Sequence, residues 1–243
     1  MSYLKRSFLI VILLVGYQII LPAQSKFFIG LTAGISIPAA DYTGTTSDFY
    51  SGTSYGLNSG FSVGAVAKAK LSFSNLRFTF NYSSLSNSGN ATASGGSINL
   101  KQNVFVIGAG PEFSFGVGKS KVKPYFGINI LFASISGENT FSDVPRVPDG
   151  TYSTASAVRG GLGVDIGTQL DIGKKYAVDV NFQYSFLNLL GKSFNGGTNR
   201  LDSYTSLNDA EDPLFSANPN IHPIGSSRII SMFQLNLGFL FGL

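Results

Sequence analysis

The chain of 243 residues contains no cysteine. That excludes a lipidated N-terminal cysteine, a disulfide framework, thiolate metal sites and a cysteine nucleophile. Histidine is nearly absent too, with His222 the single imidazole available for acid–base work. Long apolar runs are missing beyond the N-terminus, so no segment offers the roughly 20 apolar residues of a transmembrane helix. Acidic residues number only 13. Mean hydropathy is nevertheless positive, because 21 Phe, 11 Tyr and 29 Gly take up so much of the chain.

The one apolar run, Ser7 to Pro22, follows Lys5 and Arg6 and precedes Ala23-Gln24-Ser25, a small-x-small cleavage pattern. This is a secretory signal peptide over residues 1–25, with a mature domain of 26–243. Two of the 17 basic residues lie in that segment, so 15 face the 13 acidic ones in the remainder. The basic isoelectric point therefore carries little information about partners, and nothing supports nucleic-acid binding. Export without cysteine suits a bacterial envelope.

What the chain does have is alternation. From Ile229 to Leu243 the odd positions Phe233, Leu235, Leu237, Phe239 and Phe241 are apolar, and the even ones include Gln234, Asn236, Gly238 and Gly242. Side chains of a strand point to alternate faces, so this period makes one apolar and one polar or small face. The same pattern recurs over 26–38, 57–71, 76–85, 102–117, 123–136, 157–172 and 176–186. In the second segment Leu57, Phe61 and Val63 are read as outward and Lys68 and Lys70 as inward. Pro111 and its neighbouring glycines predict a bend or bulge in the fourth.

The connections alternate long and short, the signature of an all-β, eight-stranded antiparallel up-and-down transmembrane β-barrel. Short turns at 72–75, 118–122 and 173–175 then face the periplasm with both termini. The long loops, 39–56, 86–101, 137–156 and 188–227, lie outside, with 87–97 nearly featureless and mobile by default.

The segments Pro22-Ala-Gln-Ser25, Gly108-Ala-Gly-Pro-Glu-Phe113 and Lys123-Pro-Tyr-Phe-Gly127, with the alternating terminus, carry a resemblance to a known group. The chain resembles the OmpA/OmpX-like superfamily of small outer-membrane β-barrels, especially the stand-alone barrels of the Bacteroidetes–Chlorobi group. Barrels of this kind usually end in an aromatic residue, whereas this chain ends in Leu243. No peptidoglycan-binding domain follows, so the resemblance does not imply cell-wall anchoring. It implies a non-enzymatic protein in the outer membrane, acting structurally or through its external loops. Two alternatives stay open: lateral transport of small or hydrophobic solutes, as in OmpW-like barrels, and an accessory role in a secretion or assembly machine, as in PorT-like ones.

Eight strands leave an interior just wide enough for side chains, so the lumen is expected to be filled and polar. Its inner glycines, Gly108, Gly163 and Gly167 among them, could leave small voids. Lys68, Lys70, Arg77, Glu112, Lys123, Asp171 and Asp179 share inward parity and similar depth. They are expected to form one ion-pair and hydrogen-bond network, because buried charges must be paired.

Catalytic, cofactor and metal sites are not expected. His222, in Asn218-Pro-Asn-Ile-His-Pro223, reads as a loop residue in a proline-rigidified segment. Asp209-Ala-Glu-Asp212 reads as a solvated loop face with hard oxygens that could take a divalent cation. Gly161-Leu-Gly-Val-Asp-Ile-Gly167 lies within an alternating strand, which rejects a nucleotide loop. The loops hold nine acids, Asp41, Asp48, Glu138, Asp143, Asp149, Asp202, Asp209, Glu211 and Asp212, against Arg146, Lys192 and Arg200. The short turns collect Lys119, Lys121, Lys174 and Lys175. Outer-membrane lipid and lipopolysaccharide are the expected surroundings, and other envelope proteins are open as partners.

Overall fold

A computed structural model describes residues 27–71, 73–93, 95–115, 120–173, 175–196 and 199–243. The signal segment, Lys119 and Lys174 lie outside the described residues. Eight strands close into a barrel in sequence order. They are β1 Phe27–Ala39, β2 Gly60–Lys70, β3 Asn75–Thr92, β4 Gly95–Ser114, β5 Val122–Ser142, β6 Gly150–Ile172, β7 Tyr176–Leu190 and β8 Ser231–Gly242. Each pairs antiparallel with its neighbour, and β8 meets β1 in a ladder from Phe28↔Gly242 to Ala39↔Ser231. Closure pairs both edges of the sheet.

Over the half of the barrel nearer the short turns, the outer face is apolar. Ile29, Leu31, Phe78, Phe80, Ile128, Ile130, Ile166, Phe182, Leu237 and Phe239 all stand exposed on it. Such a surface is stable against hydrocarbon, not water.

Towards the loop end the pattern inverts without losing its period of two. Along β4 the outward residues change from Phe105 and Ile107 to Ser97, Asn99 and Lys101, while the inward ones change from Gly108 and Glu112 to Ile98 and Leu100. The same inversion runs through β3, where Ser86, Ser88 and Asn90 face out, and Leu85 and Ala91 face in. In β5, Glu138 and Ser142 face out, and Ile135 and Phe141 face in. Polar outside and apolar inside is the pattern of a strand in water.

The loops expected at 86–101 and 137–156 are therefore largely ladder. Asn87↔Leu100 and Asn90↔Ser97 pair β3 with β4, and Asn139↔Tyr152 and Phe141↔Gly150 pair β5 with β6. A search for apolar-outward alternation ends where the polarity flips. The strands continue because water now covers the outer face.

Pro111 produces no bulge. The β4–β5 pairing lapses at Gly110 and Pro111 and resumes in the same register, Ala109↔Ile130 and then Glu112↔Gly127. Proline has no N–H to give the ladder, and a Cβ on Gly110 would run into the Ile128 carbonyl. Register shifts occur on β6 instead, between Ile135 and Gly137 opposite it on one side and between its own Gly160 and Leu162 on the other.

Two long connections fold over the open end. The first carries a single-turn helix at Thr46–Ser51 with a reciprocal cap, Thr45 accepting from the Asp48 N–H and Asp48 from the Thr45 N–H, and it stops at Gly52 with φ 82°. The second carries a helix at Arg200–Tyr204 capped the same way by Asn199 and Asp202. Reciprocal caps satisfy orphan donors at a helix start. Both bring aromatic rings into a core with the inverted strand faces: Tyr42, Phe49, Tyr55, Tyr204 and Leu207 join Leu85, Leu100, Leu131, Ile135 and Phe141. Leu57, expected outward on β2, precedes the strand and is wholly buried there. Met232 and Ile230 close the same core from β8 and its approach. The expectation of a polar lumen throughout is corrected, because the loop-side interior is apolar.

Candidate functional site

The turn-side lumen is built on four charged residues from four strands. Lys68 Nζ lies 3.0 Å from Glu112 and 3.1 Å from Asp179. Arg77 Nη1 lies 3.1 Å from Glu112 and 3.7 Å from Asp179. All four are almost completely buried. Parity puts each inside, and β2–β3 register sets Lys68 directly opposite Arg77. Like charges side by side are tolerated only because a carboxylate bridges them from each side.

Tyr125 sits at the centre. Its hydroxyl accepts from Arg77 at 2.8 Å and from Asn181 at 3.2 Å and donates to Asp179 at 3.1 Å, while its ring lies 4.2 Å from the Lys68 ammonium. A Cβ on Gly167 would collide with that ring. The inner glycine is thus room for a tyrosine crossing the lumen rather than a void. Gly108 and Gly163 likewise face Thr79, Gln183 and Leu131.

The other three residues expected in the network behave differently. Lys123 and Asp171 pair with each other at the partly exposed rim. Gln169 connects them inward, donating to Asp171 at 2.9 Å and accepting from Lys68 at 3.5 Å. Lys70 stands exposed at the end of β2, with no ion pair among the described residues, and is not part of the cluster. Its inward parity holds, but the strand ends there and water reaches it.

Asp165 belongs to the cluster although the sequence did not single it out. Fully buried, it accepts amide hydrogen bonds from Asn129 and from Asn181, the latter at 3.1 Å. Higher in the lumen Ser36, Ser83 and Gln234 form a neutral triangle of 2.8, 3.2 and 3.1 Å. Ser62 donates to Asn236 at 2.8 Å. Inward parity is the sequence signal for all of these, and Gln234 and Asn236 carry it in the alternation of the C-terminal strand.

At the loop end three arginines fasten the head. Arg159, inward on β6, grips Asp209 with Nε and Nη2, each at 2.7 Å. Burial would raise the Asp209 carboxyl, but the bonds from Arg159, the Ser193 N–H and the Asn188 amide outweigh it and hold the group below the usual carboxylate range. Arg228 donates to the carbonyls of Ser54, Leu207 and Asn208 and lies 4.0 Å over the Tyr55 ring. Arg200 ties the second long connection to the first through the Tyr50 carbonyl. The Ile229 N–H donates to Asp41 at 2.7 Å, and Tyr42 donates to Gln102 at 2.9 Å.

Asp209-Ala-Glu-Asp212 is consequently no solvated face. Asp209 is fully engaged, and Asp212 is buried against His222, Oδ2 to Nδ1 at 2.7 Å. His222 is the loop residue that the sequence suggested, and it is buried in the β7–β8 connection. No serine hydroxyl joins that pair among the described residues. With two of the nine loop acids buried, the outer surface is less negative than the sequence implied.

Two shallow troughs mark the outer wall over β8, β1, β2 and β3, about 730 and 680 Å³. They exist because Ala33, Ala65 and Ala67 are small between ridges formed by Phe80 and Phe239. At Gly64, in the floor of the first, Thr32 and Asn81 stand against the backbone on the lumen side.

Comparison with known proteins places this geometry. Among solved structures, OprG from Pseudomonas aeruginosa aligns over 90% of this chain and 96% of its own, with 10% identity and a TM-score of 0.50. The corresponding figures for Neisserial surface protein A are 88%, 96%, 16% and 0.49. For Ail from Yersinia pestis they are 90%, 97%, 12% and 0.41. The likeness to OprG is one of fold. A search of curated proteins gives no match. The model of the Opacity family of porin proteins matches residues 69–201, more than half of the chain. The protein is an eight-stranded β-barrel of the Gram-negative outer membrane, and it belongs to the Opacity family of porin proteins.

Proposed function

We propose that the protein is a non-enzymatic surface protein whose barrel holds a folded head outside the membrane, and that this head is its working part. The observation that carries this reading is the polarity inversion along β3, β4 and β5, which encloses an apolar core closed by both long connections. A head of that kind presents fixed surfaces at little ordering cost on binding. Lipopolysaccharide and membrane lipid are its immediate surroundings, and other envelope proteins are candidate partners.

Transport is the weaker reading. The wall troughs are the observation in its favour, but the lumen behind them is occupied by Thr32, Asn81 and the ion-pair cluster. Reconstitution in vesicles tests the choice. The proposal expects no flux of small hydrophilic or hydrophobic solutes above protein-free vesicles, and flux that scales with protein would overturn it. A second arm replaces residues 200–227 by a short Gly-Ser linker. Bacteria displaying that variant should lose surface association shown by the full chain while keeping the barrel in the outer membrane.

A further inference from the structure

We propose that the head carries an oxyanion site in the cleft between the β5–β6 tip and the β7–β8 connection. The cleft, about 440 Å³, is lined by Arg146, Asn199, Arg200, Asn218, Asn220 and Ile221. Two arginines and three asparagines are among its lining residues, and no carboxylate is. The fold has gathered two of the three loop bases from separate connections into one place.

Arg200 is nearly buried, and among the described residues no carboxylate pairs with it. Its three bonds go to neutral acceptors: the Tyr204 hydroxyl at 2.8 Å, the Asn220 carbonyl at 2.8 Å and the Tyr50 carbonyl. The Tyr50 ring lies 4.1 Å from the guanidinium. These neighbours fix the group's position without cancelling its charge. A guanidinium has five N–H donors, so two remain for a further acceptor.

Arg146 adds an independent observation. It holds a left-handed backbone, φ 63°, a conformation that a non-glycine residue keeps where its surroundings require it. The acids near the cleft in sequence are engaged with backbone and are not among its lining residues: Asp149 accepts from the Asp143 N–H at 2.8 Å, and Asp202 from the Asn199 N–H at 3.3 Å. Among the described residues Arg146 forms no ion pair with either Asp143 or Asp149.

A forked cation held rigid in the same cleft as a second, exposed one suits a phosphate- or carboxylate-type group that takes two hydrogen bonds at once. The β5–β6 tip stands well beyond the apolar belt, so the group comes from sugar chains above the bilayer or from outside the cell. The site rests on the head being an interaction surface. Failure of the anion to bind leaves that broader reading intact, because solute flux and surface association test it separately.

The test uses the full chain in phosphatidylcholine nanodiscs titrated with inorganic phosphate against chloride at constant ionic strength, read from arginine side-chain NMR signals. Saturable shifts are expected for Arg146 and Arg200, with affinity falling at least tenfold in Arg146→Gln and unchanged in Lys192→Gln. Shifts that never saturate, or an equal effect of the two variants, would overturn the proposal. Adding lipopolysaccharide to the nanodisc assigns the source. Loss of the phosphate response places the natural oxyanion on the protein's own membrane, and persistence places it outside; either supports the site.

Discussion

Arg159 and Asp209 decide whether the head stays seated. Both are buried and bonded twice at 2.7 Å, so Arg159→Ala leaves a carboxylate without its partner and should cost about 3–5 kcal/mol. Chemical denaturation of the refolded protein, followed by tyrosine fluorescence, measures it. The pair also sets a pH limit. Asp209 sits below its unfolded value near 3.9, so its contribution is complete above that pH and is lost as pH falls through the lower folded value. Limited proteolysis of residues 191–228 should therefore begin only in strong acid, and Asp209→Asn should bring cleavage already at neutral pH. At this scale the sequence was partly legible. Parity and depth name Lys68, Arg77, Glu112 and Asp179 as neighbours, but Tyr125 and Asp165 do not stand out, because an aromatic and a lone acid on an inner row carry no pairing signal. Nor could Lys70 be told from Lys68, since only the strand end separates an exposed lysine from a buried one.

At the level of the strand, the lesson lies in the sign of the alternation. Segments 102–117 and 123–136 are legible because they are apolar outward, and β4 and β5 run beyond them where Asn99 and Glu138 take the outer position. The stretch 87–97 has Ala91 as its one apolar inward residue among those described, and the signal of an apolar interior starts only beyond it, at Ile98 and Leu100. Thr45-x-x-Asp48 and Asn199-x-x-Asp202 were readable as helix starts, but helices of a single turn leave no periodicity to find. A chain without cysteine offers a clean assay. Asn99→Cys should react rapidly with a polar maleimide and Leu100→Cys should not, alternating as the strand does. Leu100→Ala should cost about 2–5 kcal/mol, the usual cost of emptying a core position, with loss of protection in β3 and β4 above the membrane first.

As a whole molecule, the protein is one cylinder with two environments. A hydrocarbon-facing half is held from inside by ion pairs, and a water-facing half is held from inside by aromatic and aliphatic packing together with the Arg159–Asp209 pair. The barrel, strand number and orientation could be read from the sequence because the membrane imposes a regular pattern on the chain. The head could not, since its core draws residues from eight connections and strands far apart in sequence, such as Tyr42, Leu100, Phe141 and Tyr204. The central claim is that this outer half is folded structure rather than four loose loops. Amide hydrogen exchange in nanodiscs tests it most directly. The account predicts that residues 86–92, 97–103 and 203–209 exchange orders of magnitude more slowly than an unstructured peptide; exchange there at the free-peptide rate, with the barrel still protected, would contradict it.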